Sequence, residues 1–166
     1  HFVIPTEYYV NNQRSNYPYG ETATPPIWTS TNGSKLGSSS FPGYAGTIFE
    51  PIDEFKGDLA RMSLFFITRY EDKLASFAPF QSDSNPLDGT VDRGYKQWYI
   101  NLLLKWAAQD PVSQKEIDRN NAVFARQKNR NPFIDHPEWV NMIWTSTLST
   151  SDVASFEKKI SVYPNP

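Results

Sequence analysis

The run Ile52-Asp53-Glu54-Phe55-Lys56-Gly57-Asp58-Leu59-Ala60-Arg61-Met62-Ser63-Leu64-Phe65-Phe66-Ile67-Thr68-Arg69-Tyr70 decides the fold class. Its residues Ile52, Phe55, Leu59, Met62, Phe66 and Tyr70 recur at spacings of three and four. That period places them on one face of an α-helix and predicts a helix over 52–70. Pro51 suits the first helical position, where its missing N–H costs nothing. Glu50, Asp53, Glu54 and Asp58 crowd the same end, where carboxylates complement the helix dipole. Asp58 and Arg61, three apart, read as a structural ion pair ahead of an acid/base pair.

Working downstream, residues 75–92 read as loop, with Asn85-Pro86 and Asp88-Gly89 as turn signals. Tyr95 to Ala108 is helical again, with Trp98, Leu102, Leu103 and Trp106 as an apolar edge. The two tryptophans read as core rather than as a stacking platform. Asp110 suits the cap of a third helix over Pro111 to Lys128, with Val112, Ile117, Val123 and Phe124 expected inside. Asn129-Arg130-Asn131-Pro132 ends it, because the residue before a proline is pushed out of the helical region. Asp135-His136-Pro137 then reads as the cap of a short helix ending at Trp144. Thr145 to Ser155 has a Ser/Thr-rich linker composition. Beyond it, Phe156, Ile160 and Val162 suggest the start of a strand.

Upstream, a short strand over Phe2–Ile4 and a short helix over Thr6–Gln13 are expected. Residues 21–48, rich in Ser, Thr, Gly and Pro, read as a long loop or hairpin. The expected fold is therefore α+β and predominantly helical.

Composition bounds the function. The 166 residues suit one domain with a short appendage. Hydrophobic residues are 39% and charged residues 20%, which makes wholesale disorder implausible. No apolar run nears the ~18 residues of a membrane span. The absence of cysteine excludes disulfides, thiolate catalysis and cysteine zinc sites. A net charge of -2 gives no support to purely electrostatic nucleic-acid binding. Aromatics at 15% and 13 prolines fit long ordered loops over a modest core. The chain begins at His1, which reads as a processed or truncated product.

Few residues carry chemistry. There is no phosphate loop, nucleophile elbow or paired-histidine zinc motif. His136 reads as a helix-start residue ahead of a metal ligand or general base. Arg119, Arg126, Lys128 and Arg130 form the only basic concentration, either a phosphate-facing surface or a solvated helix face. Asn11, in Val10-Asn11-Asn12-Gln13-Arg14-Ser15-Asn16, offers an amide oxygen that is a neutral ligand for a hard cation, or a turn cap.

Four stretches together resemble the bacterial endonuclease I family. They are His1 through Glu21 with its Arg14-Ser15-Asn16 run, Phe49-Glu50-Pro51 with Lys56 to Arg61, Leu103 to Ser113, and Gln127 to Val140. Their order is that of the family. The resemblance implies a ββα-metal (His-Me finger) nuclease fold over 1–144 that lacks its N-terminal hairpin part. It implies a histidine general base on a hairpin and an asparagine holding one divalent cation, magnesium or another such as Ca2+ or Mn2+. The substrate would be DNA, or RNA as well, cut largely without sequence preference to leave 5′-phosphate and 3′-hydroxyl ends.

By position the metal-binding asparagine falls on Asn11. Arg14, Asn16, Lys128 and Arg130 are the candidates for phosphate contact or support of the site. For Asn129–Glu138 the reading as a locked turn, with Arg130 tied to a carboxylate such as Asp58, stands ahead of DNA contact. The family's general base, with an adjacent glutamate, lies upstream of the matched segment; His1 does not match it, so no catalytic histidine is expected in 1–166. Ala107 stands where the family commonly has histidine.

Ile160 to Pro166 is similar to the opening of the C-terminal sorting domain of type IX secretion in Bacteroidetes. The expected protein is thus a secreted, monomeric nuclease with residues 145–155 as linker and 156–166 as the start of a sorting domain. Its partners would be nucleic acid and the secretion machinery. A non-catalytic secreted binding domain of nuclease ancestry is the alternative.

Overall fold

A computed structural model describes residues 4–80, 84–90 and 94–145, excepting the side chains of 78–80. In chain order these form α1 (Tyr8–Arg14), β1 (Trp28–Thr29), β2 (Lys35–Ser38), β3 (Thr47–Glu50), and α2 (Lys56–Arg69). There follow α3 (Gln97–Gln109), α4 (Gln114–Gln127), α5 (Pro132–Asp135) and α6 (Glu138–Trp144). The α+β class is as expected. The expected strand over Phe2–Ile4 falls, save for Ile4, outside the described residues, as do the linker beyond Thr145 and the strand near Ile160.

Residues 21–48 hold a hairpin, and with β3 it makes a three-stranded antiparallel sheet ordered β1-β2-β3. Trp28 pairs with Leu36, and Leu36 with Phe49. Gly33 closes the hairpin at φ +98, a conformation that side chains with a Cβ rarely adopt. Leu36, Ile48 and Phe49 are buried.

The main core lies between α2 and α3, with α5 and α6 closing it. Its side chains include Ala60, Leu64, Phe65, Ile67, Trp98, Leu102, Leu103, Trp106 and Phe133. The apolar edge expected on α3 is fully borne out, tryptophans included.

Other expectations need correction. The 52–70 helix opens with a 3-10 turn over Asp53–Phe55, so Pro51 precedes the helical residues instead of starting them. The predicted loop from residue 75 begins inside a 3-10 stretch, Glu71–Phe80. Asp110 and Pro111 lie before α4; its cap is Ser113, in a capping box with Glu116. Serine wins because Asp110 is taken elsewhere: its carboxylate accepts the Gly57 N–H at 2.8 Å, capping α2 instead. The apolar positions expected inside α4 are half-buried or exposed, and its buried residues are Glu116 and Asn120. The last expected helix forms as α6, entered through Pro137 without a side-chain cap, and α5, capped by Asn131, precedes it unexpected.

Candidate nucleic-acid interface

The apolar stripe that predicts α2 faces mainly a cavity, with Leu59 buried and Phe66 also packed on the core. The core takes the neighbouring face, through Ala60, Leu64, Phe65 and Ile67. Ile52, Phe55, Leu59, Met62 and Phe66 instead line a cavity of about 760 Å³, a volume within the range of ligand pockets. α1 forms the opposite side through Val10, Asn11 and Arg14, and α4 a third side through Lys115, Glu116, Arg119 and Asn120. Glu7, also at the cavity, caps α1 by accepting the Val10 N–H at 2.8 Å. Those backbone hydrogen bonds, from Tyr9 and Val10, hold its carboxyl below the ordinary range.

Asn11 is exposed and Arg14 is half-buried. The Arg14 guanidinium lies 4.6 Å from the Tyr19 ring centroid, a cation–π contact. Its Nε is buried with no hydrogen-bond partner among the described residues. This is the donor set and the charge that a phosphate oxygen would satisfy.

The cavity floor is ionic. Arg61, 1% exposed, donates from Nε and Nη2 to the two carboxylate oxygens of Glu116, each at 2.7 Å. Its Nη1 donates to the Asp110 carbonyl at 2.8 Å. Asp58 lies 3.5 Å from Arg61, so the ion pair expected from their spacing forms, but as the weaker of two. Burial, with the repulsion of Glu116 behind it, raises the Asp58 carboxyl to about 7. Asp58 is therefore partly protonated near neutrality, so its pairing with Arg61 weakens as it takes up a proton.

Asn120 and Asn131 lock the neighbouring turn. The Asn131 N–H donates to Asn120 Oδ1 at 2.9 Å, and Asn131 Nδ2 donates to the Arg61 carbonyl at 3.1 Å. This supports the locked-turn reading of 129–138. Arg130 ties the turn to a carboxylate as expected, but to Asp135 and not to Asp58. Arg130 forks onto Asp135, at 2.6 Å through both Nε and Nη2, because that carboxylate ends α5 directly beneath it. The same hydrogen bonds hold the Asp135 carboxyl low.

The structure thus brings Asn11 and Arg14 together and leaves the other candidates apart. Asn16 is exposed beyond α1, and Lys128 closes α4 in the left-handed conformation; neither lines the cavity, nor does Arg130. His136 ends α5 and stacks on Trp139, with ring centroids 4.3 Å apart, and Nδ1 lies 3.3 Å from Glu138. It too is absent from the cavity. Among the described residues no three ionisable side chains are grouped to hold a metal. Sequence reasoning placed Arg119 in a basic concentration without assigning it to the site. The tertiary fold puts it on the same cavity as Arg14.

A fold with a small antiparallel sheet, a short helix bearing Asn11 and Arg14, and a helical lobe behind them is consistent with a nuclease. The chain belongs to the Endonuclease I family, which it matches over residues 1–138. It is similar to an extracellular ribonuclease of Bacillus amyloliquefaciens, 35% identical over 145 residues, covering 87% of this chain and 45% of that protein. It is also similar to an extracellular ribonuclease of Bacillus subtilis, 33% identical, covering 87% and 46%. The chain therefore spans about half the length of these curated relatives. No solved structure matches it.

Proposed function

We infer that this chain supplies the cation-binding and phosphate-binding face of a secreted nuclease that hydrolyses phosphodiester bonds. The carrying observation is the cavity of about 760 Å³ that Asn11 and Arg14 share with Arg119, in a chain of the Endonuclease I family. The names of its extracellular relatives support secretion and a nucleic-acid substrate. Residues 1–144 would form the nuclease domain, 145–155 a linker and 156–166 the opening of a sorting domain for type IX secretion.

The donor chemistry fits a divalent cation in part. The Asn11 amide oxygen is a hard, neutral ligand on an exposed helix face. Magnesium keeps several waters and takes few protein ligands, so one amide with substrate phosphate suits it. When bound, such a cation supplies charge neutralisation at the phosphate. Arg14 would orient one phosphate oxygen through its guanidinium, which is held against Tyr19. Arg119 lines the same cavity and would bring a second positive charge to the phosphate.

Digestion of plasmid DNA and of RNA by the full-length protein, with and without EDTA, tests this reading. Asn11→Ala is expected to lower cleavage by a factor of about a hundred or more, the scale of lost metal ligation. Cleavage undiminished in EDTA would sink the cation-dependent form. No histidine lines the cavity among the described residues, so residues 1–166 alone are expected to cleave weakly.

A further inference from the structure

The cavity holds more than a phosphate site requires. Its rim is polar and cationic: Asn11 and Lys115 are exposed, and Arg14 and Arg119 are half-buried. Its wall is apolar and partly aromatic, through Phe55, Leu59, Met62 and Phe66 on one side of the 53–69 segment. Lys115 Nζ stands 4.5 Å over the Phe55 ring, so charge and aromatic surface meet at the mouth. Glu7 is the anion of the rim, and its carboxylate is engaged by the first turn of α1. Deeper lie the polar groups of Asp58 and Ser63.

A cationic mouth over an apolar wall matches a nucleotide whose base is unstacked. The phosphate stays among Arg14, Lys115 and Arg119, and the flat apolar base slides against α2. A duplex keeps its bases stacked and cannot reach such a wall without paying to unpair them. A single strand has its bases free to insert. We propose that the cavity is a nucleobase subsite, which makes single-stranded nucleic acid the substrate class for which this face is shaped. The Asp58 carboxyl and the Ser63 hydroxyl both line the cavity, so it offers polar partners to the edge of the base without selecting one base strictly. This rests on the nuclease reading above, and it adds the preference for unpaired bases.

The test is equilibrium binding to the full-length protein in EDTA, which suppresses cleavage. Three fluorescent oligomers of equal length are compared: a single-stranded DNA, the same backbone with abasic sites, and a duplex. The base-bearing single strand is expected to bind at least about tenfold tighter than the abasic one, the scale of one base–aromatic stack. Met62→Trp, which fills the cavity, is expected to erase that difference and leave abasic binding unchanged. Phe55→Ala, at a half-exposed position with little risk to folding, is expected to reduce it. Equal binding of base-bearing and abasic strands would overturn the subsite and leave the nuclease reading standing. So would a difference that survives both substitutions. Failure of all three oligomers to bind would overturn both readings.

Discussion

Arg61 on α2 grips both carboxylate oxygens of Glu116 on α4, each at 2.7 Å, with both side chains almost wholly buried. The pair sits behind the cavity and fixes the distance between two of its walls. It also ties local to tertiary structure, since the same Glu116 side chain closes the capping box of α4 by accepting the Ser113 N–H at 3.0 Å.

Breaking that pair from one side leaves a buried charge without compensation. Arg61→Met is expected to cost about 3–5 kcal/mol in urea unfolding. The double variant Arg61→Met with Glu116→Met is expected to recover a substantial part, because no charge is then stranded. A double variant no more stable than Arg61→Met would contradict the assignment of the loss to Glu116.

Asp58 gives a pH signature. Its folded carboxyl titrates at about 7, well above the ordinary value, because burial and Glu116 disfavour its charge. The folded state therefore holds a proton that the unfolded chain releases near pH 4, and this contribution to stability declines as pH rises from about 4 to about 7. The carboxyls of Glu50 and Asp135 shift the other way. For Glu50, burial is outweighed by the hydrogen bonds from Lys56 and Thr22. Those groups lose their contribution on acidification. Asp58→Asn keeps a donor toward Glu116 without the charge. It is expected to raise the melting temperature at pH 8 more than at pH 5, by scanning fluorimetry. An equal change at both pH values would refute the assignment.

Gly57 has no room for a side chain. A Cβ there would lie 2.0 Å from the Asp110 carbonyl oxygen and 2.8 Å from the Asp110 Cβ. Gly57→Ala is expected to destabilise by about 1–3 kcal/mol or more, from overpacking and the displaced cap. Calorimetry of the purified variant checks this.

Arginines at the cavity and away from it separate in assay. Arg14→Ala is expected to lower cleavage by the full-length protein at least tenfold, with an unchanged melting temperature. Arg130→Ala breaks a surface fork with Asp135, worth about 0–1 kcal/mol, and is expected to leave cleavage within about twofold. Equal losses for the two would show that Arg130 also contacts substrate.

Helix periodicity made α3 and its buried tryptophans legible in the sequence, since one apolar face meets one core. For α2 the same signal located the helix and did not say what its stripe would meet. Both its faces are apolar, and periodicity does not distinguish a face packed on α3 from one lining a cavity. α4 failed differently: it buries Glu116 and Asn120, whose partners Arg61 and Asn131 come from other elements. Long-range hydrogen bonds leave no local trace in composition. Asp110 shows the same limit, because a cap can serve a helix that precedes it by fifty residues. The family resemblance singled out Asn11 and Arg14, whereas only the tertiary fold shows that Arg119 lines the same cavity.

α1 buries none of its residues. The helix that carries Asn11 and Arg14 is therefore weakly secured by the core, and its amides should exchange with solvent through local opening rather than global unfolding. If a cation or a phosphate binds at Asn11 or Arg14 as proposed, it also orders the helix, and its apparent affinity includes the fraction of time α1 is formed. A cation and a phosphate bound there would each favour the other through that shared ordering, even without touching.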